Sequence, residues 1–176
     1  MAIPVTLEDA KRQLRVELDD DERDEEIVGF INDAVAWVEE WTGHIFVARD
    51  ITAEFASFKD ISFREWPIAP GAAPTVTYPD GGSAVTVTDV RAITSRRPVR
   101  ILPWIGSRWP TVSVGTGATA TVRAGYEDSD TVPGVFRRVM LILIAAYDDD
   151  REGGAAFQKA EETARALCRG LRPRAV

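Results

Sequence analysis

The sequence predicts an α+β fold in which N- and C-terminal helices form a small helical bundle with an inserted β-rich subdomain. Three observations carry this. Apolar residues recur at three- and four-residue steps before Gly43 and after Pro133, the stretch from Ile45 to Tyr126 alternates with a period of two, and cap and turn formers stand at the joints. The expected segments are 1–44, an N-terminal helical pair; 45–130, the β-rich insert; and 131–176, a C-terminal helical pair with a terminal arm. A chain of 176 residues has the size of one compact domain, or one domain carrying a subdomain.

Thr6 before Leu7-Glu8-Asp9 places a cap residue ahead of acids in a first turn, and Leu7, Ala10 and Leu14 continue at helical spacing to about Val16. The acidic stretch Glu17 to Glu26 leads into Ile27, Ile31, Ala34, Val38 and Trp41, a stripe closed by Gly43 as a C-terminal cap. The acids at that start are stabilised by the partial positive charge of unpaired amides. Strands are expected near 45–58, 61–66, 73–79, 84–93, 98–103, 110–114 and 118–125, with Asp80-Gly81 turning a hairpin. Pro133 suits a first turn, and Val135, Val139, Ile142 or Leu143, and Ala146 make an apolar face that ends at Asp148–Asp150 and Gly153-Gly154. A fourth helix from about Ala155 to Leu171 carries Phe157, Ala160, Ala164, Leu167 and Leu171 before Pro173 breaks it.

Composition removes whole classes of function. Hydrophobic residues at 45% and charged residues at 28% supply a core and exclude disordered or fibrous chains. A net charge of −7 gives the chain as a whole no counterion-release affinity for DNA. Charge is uneven: residues 1–43 hold 13 acids and 4 bases, 44–132 hold 9 of each, and 133–176 hold 6 acids and 8 bases. Ends of opposite sign suit packing within one chain or head-to-tail contact between copies, which makes a ring if the rotation closes. No apolar run approaches the roughly 18 residues of a membrane helix, so no membrane partner is expected. The opening MAIPVTLEDA reads as neither a basic leader nor a signal core, which predicts a protein made in the cytoplasm.

One cysteine, Cys168, and one histidine, His44, remove intrachain disulfides, Cys-rich zinc sites and Cys/His relays. His44 is read as structural or exposed, Cys168 as a small core residue, and the acid runs Asp19–Glu26 and Asp148–Glu152 as solvated helix ends without Ca²⁺-loop spacing. No catalytic residue, cofactor or metal ligand is expected. Arg91, Arg96, Arg97, Arg100 and Arg108 form a basic cluster interleaved with Trp104 and Trp109, suited either to nucleic acid or to the rim of a protein contact. Trp66, Trp104 and Trp109, each near a proline, are the expected aromatic anchors for a partner or a second subunit, together with Arg96 and Arg97.

Taken in order, Pro4-Val5-Thr6-Leu7-Glu8-Asp9-Ala10 through Val16, the acidic gap, and Ile27 through Ala36-Trp37-Val38-Glu39-Glu40-Trp41-Thr42-Gly43 resemble the opening of head–tail connector (adaptor) proteins of long-tailed phages and gene transfer agents. Thr121-Val122-Arg123-Ala124-Gly125-Tyr126, Val132-Pro133, and Phe136 through Tyr147 are similar to their later half. The resemblance implies a structural subunit of a phage-like particle. Copies would form a dodecameric ring between the portal protein and the tail-side stopper protein, around double-stranded DNA that passes without sequence-specific binding. It also implies that the C-terminal segment engages the portal through Leu167, Arg169, Leu171, Arg172, Arg174 and Val176. A small hydrolase or carbohydrate-active module using the insert, and a nucleic-acid-binding module on Arg96, Arg97 and Trp104, stay open as alternatives from other classes.

Overall fold

The computed structural model describes residues 3–69, 71, 73–113, 115–150 and 152–172. Among the described residues, four α-helices and seven strands in two antiparallel sheets make a mixed α+β protein. It divides into two compact units, Met1–Val47 with Tyr126–Arg172, and Ala48–Gly125.

The first unit is helical. Helix α1 (Leu7–Leu14) begins with a reciprocal capping box: Asp9 N–H donates to Thr6 Oγ1 at 3.1 Å, and Thr6 N–H donates to Asp9 Oδ2 at 3.2 Å. It stops short of the expected Val16 because Arg15 adopts the left-handed conformation (φ 59°) and Val16 N–H turns back to Lys11 O at 2.9 Å. Helix α2 (Asp24–Thr42) buries Ile27, Ile31, Ala34 and Val38 and is capped by Gly43 at φ 70°, whose N–H reaches Glu39 O at 2.7 Å. The expected stripe shifts at its end, where Thr42 is buried and Trp41 is partly exposed.

Helix α3 (Gly134–Asp149) starts one residue later than Pro133 suggests and buries more than one stripe: Phe136, Val139, Met140, Leu143, Ile144 and Ala146. It packs against α1, α2 and helix α4 (Ala155–Cys168), so an ordinary amphipathic face would not suffice. On α4 the core positions are Ala164 and Cys168, and Leu167 is 37% exposed, contrary to its expected place on the apolar stripe. A single 3₁₀ turn, Arg169–Leu171, replaces the last expected helical turn.

The second unit holds strands β1 (Arg49–Phe55), β2 (Ser62–Phe63), β3 (Thr75–Asp80), β4 (Ser83–Val87), β5 (Val90–Ile93), β6 (Val99–Pro103) and β7 (Ala118–Ala124). One sheet has the order β1-β7-β3-β4 and the other β2-β6-β5. The β3–β4 hairpin turns through Gly81 and Gly82, both at positive φ, with Asp80 opposite Ser83, as Asp-Gly predicts. The expected single strand over 84–93 is two strands in different sheets. The chain leaves the first sheet at Thr88-Asp89, where Asp89 O accepts the Trp104 N–H at 2.8 Å. Residues 110–113 form no strand despite their alternation: Pro110 has no N–H for a ladder, and the segment runs into a turn closed by Thr116 N–H to Ser113 O at 3.1 Å. Within 61–66 the named strand is Ser62–Phe63 alone, with Ile61 O accepting the Ile101 N–H at 3.0 Å and Trp66 in an isolated bridge.

Candidate functional site

The chain's reactive residues are absorbed into its core. His44 is buried, with Nδ1 2.7 Å from the Tyr126 hydroxyl and its ring 4.8 Å from that of Phe136. Cys168 is buried, and burial pushes its thiol up to about 11. Among the described residues no three His, Cys, Asp or Glu side chains converge on a metal position. No helix of the described residues is long and apolar enough to cross a membrane.

The C-terminal segment is clamped to α2 over its described part. Trp37 and Trp41 stack with centroids 6.0 Å apart, and the Trp37 Nε1–H donates to Glu161 Oε1 at 3.0 Å. Arg165 lies 5.0 Å and Arg172 3.9 Å from the Trp41 ring centroid, so two cations attend one aromatic ring. Leu171 packs partly buried against the helical core, while Leu167 and Arg169 face solvent. Arg174 and Val176, named with them from the resemblance, lie outside the described residues.

The basic cluster divides between separate places on the second unit. Lys59, Arg96, Arg97 and Arg100 line a groove of about 340 Å³ with Asp60, Ser62 and Pro98. Arg97 is held from behind: its Nη2 donates to Arg64 O at 2.6 Å, and its guanidinium sits 5.9 Å from the Trp66 ring. Arg108 lines a different depression, with Tyr78 and the segment from Val85 to Asp89. Of the three tryptophans expected as anchors, Trp66 lies under Arg97 and Trp109 packs 5.1 Å from the Phe58 ring. Trp104 alone is open, 57% exposed, and Ile105 beside it is 77% exposed.

Two features went unrecognised in the sequence. Ile105 is the most exposed large apolar side chain among the described residues, and the signal for it was the run Pro103-Trp104-Ile105-Gly106, a bulky pair held between turn formers. The second is a depression of about 410 Å³ on the helical unit, floored by the rings of Phe30, Tyr147 and Phe157 and edged by Glu26, Asp33, Asp150 and Glu152. Tyr147 stands 6.1 Å from Phe30 and 5.5 Å from Phe157 between centroids. Burial, and then the charges of Asp33 and Glu161, push its phenol up to about 12. Asp150 accepts the Gly154 N–H at 3.0 Å and the Phe157 N–H at 3.3 Å, which holds its carboxyl below the usual range. These residues lie far apart in sequence, so their convergence left no local motif.

No protein-family model and no curated protein matches the sequence. Solved structures do resemble it. A chain in the neck of an empty gene transfer agent particle, computed with C6 symmetry, aligns with a TM-score of 0.78 and 18% identity over 100% of this chain and 94% of that one. A chain in the virion of a native gene transfer agent particle gives 0.74 and 17% over 98% and 91%. One in the neck of a native particle, computed with C12 symmetry, gives 0.69 and 18% over 99% and 91%. These likenesses agree with the resemblance to head–tail connectors read from the sequence. Along its whole length, the chain has the fold of chains that build gene transfer agent necks and virions.

Proposed function

We propose that the chain is a head–tail connector (adaptor) subunit of a phage-like particle, acting by assembly and not by catalysis. Copies form a ring, twelve in the particle, between the portal protein and the tail-side stopper, with double-stranded DNA passing through the lumen. The observation that carries this reading is the full-length likeness to neck chains from particles reconstructed with C6 and C12 symmetry. Physical chemistry supports it: a net charge of −7 keeps a DNA conduit from holding its cargo, and ends of unlike charge suit a head-to-tail interface repeated around an axis.

Portal docking is assigned to the C-terminal segment. Leu167 and Arg169 are already exposed, and Leu171 and Arg172 lead into Arg174 and Val176. Because Leu171 packs on the core and Arg172 on Trp41, the informative truncation removes only residues 173–176. The decisive experiment images purified particles at their unique vertex and measures the mass of the chain alone and with its portal. Density for the chain between capsid and tail, and a portal complex lost on truncation, are expected. A neck lacking the chain, or turnover of a substrate by the isolated protein, would refute the assignment.

A further inference from the structure

The turn Trp104–Ser107 presents two large apolar side chains to water from a rigid base. Ser107 N–H closes it onto Trp104 O at 2.9 Å, Gly106 sits at φ +90°, and Asp89 ties both ends, through its carbonyl to Trp104 N–H at 2.8 Å and its carboxylate to the Ser107 hydroxyl at 3.4 Å. Neither Trp104 nor Ile105 packs on another ring or joins the core among the described residues. A preorganised aromatic–aliphatic pair of this kind loses little conformational freedom on binding, which is how interface anchors act. Exposed Arg108 follows immediately and gives the tip a positive flank.

The depression floored by Phe30, Tyr147 and Phe157 has the opposite character. Its volume of about 410 Å³ is in the range that encloses an aromatic group, and its edge carries four carboxylates. One of them, Glu26, is partly neutralised by Arg23, whose guanidinium also pairs with Asp148. Asp33 is exposed, and no described side chain pairs with it.

We propose that the Trp104–Ile105 tip of one copy seats in the aromatic depression of the next, with Arg108 meeting Asp33 and its neighbouring carboxylates. Knob and hole belong to different compact units of one chain, and the contact repeated head to tail from copy to copy closes into a ring when the rotation permits. This rests on the ring reading above and names the interface that builds the ring. A second copy is favoured over another particle protein because the chain itself supplies both the apolar shapes and the opposite charges.

The test uses particles produced with two versions of the chain together, Ile105→Cys and Asp33→Cys, under mild oxidation. Both positions are exposed, so folding is kept, and buried Cys168 stays silent. A disulfide-linked dimer containing one of each version is expected only when both are present. Adding Trp104→Ala should weaken incorporation into the neck by about 30-fold or more. Arg108→Glu should weaken it too, and Asp33→Arg in the same chain should restore it. Necks that hold the chain without the mixed dimer, or that link Ile105→Cys to a different protein, overturn this interface while leaving the ring intact. Necks without the chain overturn the ring itself.

Discussion

Replacing Lys11 with Met should loosen the helical unit without changing its shape. Lys11 is 4% exposed, and its Nζ lies 2.7 Å from Asp20 O, 3.3 Å from Leu18 O and 2.5 Å from Asp24 Oδ1. One ammonium thus gathers the acidic loop between α1 and α2 onto the start of α2. The approach to Asp24 is bent away from hydrogen-bond geometry, so that contact is coulombic. Met keeps the aliphatic stem and removes the charge. Loss of a charge-assisted hydrogen bond costs roughly 1.5–3 kcal/mol, and orphaning a fully buried partner about 3–5. Leu18 and Asp20 are exposed residues, and although Asp24 Oδ1 is itself buried, its side chain is 31% exposed and can turn the carboxylate to water, so the sum should stay at about 2–3 kcal/mol. Cys168 supplies the assay: it is the chain's one thiol and is buried in the helical unit, so its labelling rate reports the opening of that unit alone. A loss of that size speeds labelling by about 30- to 150-fold under equilibrium opening. An effect below about 0.5 kcal/mol would refute the reasoning. So would an Asp24→Asn substitution that costs as much in the Met background as in the native one, since the pair would then be uncoupled.

Further outcomes follow from the same geometry. Gly125→Ala should cost about 3 kcal/mol or abolish folding of the sheet unit, because Gly125 sits at φ +131° and an added Cβ would lie 2.4 Å from the Ala48 Cα; circular dichroism of the melted sheet would show it, and a native-like melting curve would contradict it. Asp150 is held low by the Gly154 and Phe157 amides, and Asp9 is held low because bonds from Thr6 and Arg137 outweigh the opposing effect of burial. Their stabilisation is complete above the ordinary value of 3.8 and is lost as pH falls through the depressed folded values; stability measured from about pH 5 down to about pH 2 should therefore fall less in Asp150→Asn than in the native chain. Arg172→Ala removes one of the two cations over Trp41 and should cost about 0.5–1 kcal/mol, read as faster amide exchange at the end of α4, whereas unchanged exchange would mean the stacking is idle.

The helices were legible because their signals are local. Thr6 and Asp9 three residues apart, Ile27 to Val38 on one stripe, and Gly43 past the last turn each act within a few neighbours, and the structure uses them as written. The β3–β4 hairpin was legible for the same reason, since Asp80, Gly81 and Gly82 determine their own turn. Strand pairing was not. Alternation marks a residue as able to lie in a sheet but does not say that a partner is present, which is why 84–93 splits between sheets and 110–113 joins no strand among the described residues.

The candidate surfaces divide along the same line. From the sequence alone came the α+β class, the order of two helices, a β-rich stretch and two helices, the net negative charge, and the single cysteine and histidine. Only the tertiary structure decided that Trp66 and Trp109 are partly covered while Trp104 and Ile105 stand open, and that Arg96, Arg97 and Arg100 line one depression and Arg108 another. It also brought Phe30, Tyr147 and Phe157 together and buried the charge of Lys11. Capping and periodicity are decided by neighbours a few residues away. Exposure is decided by whichever distant segments fold over a side chain, and no short window of sequence contains them.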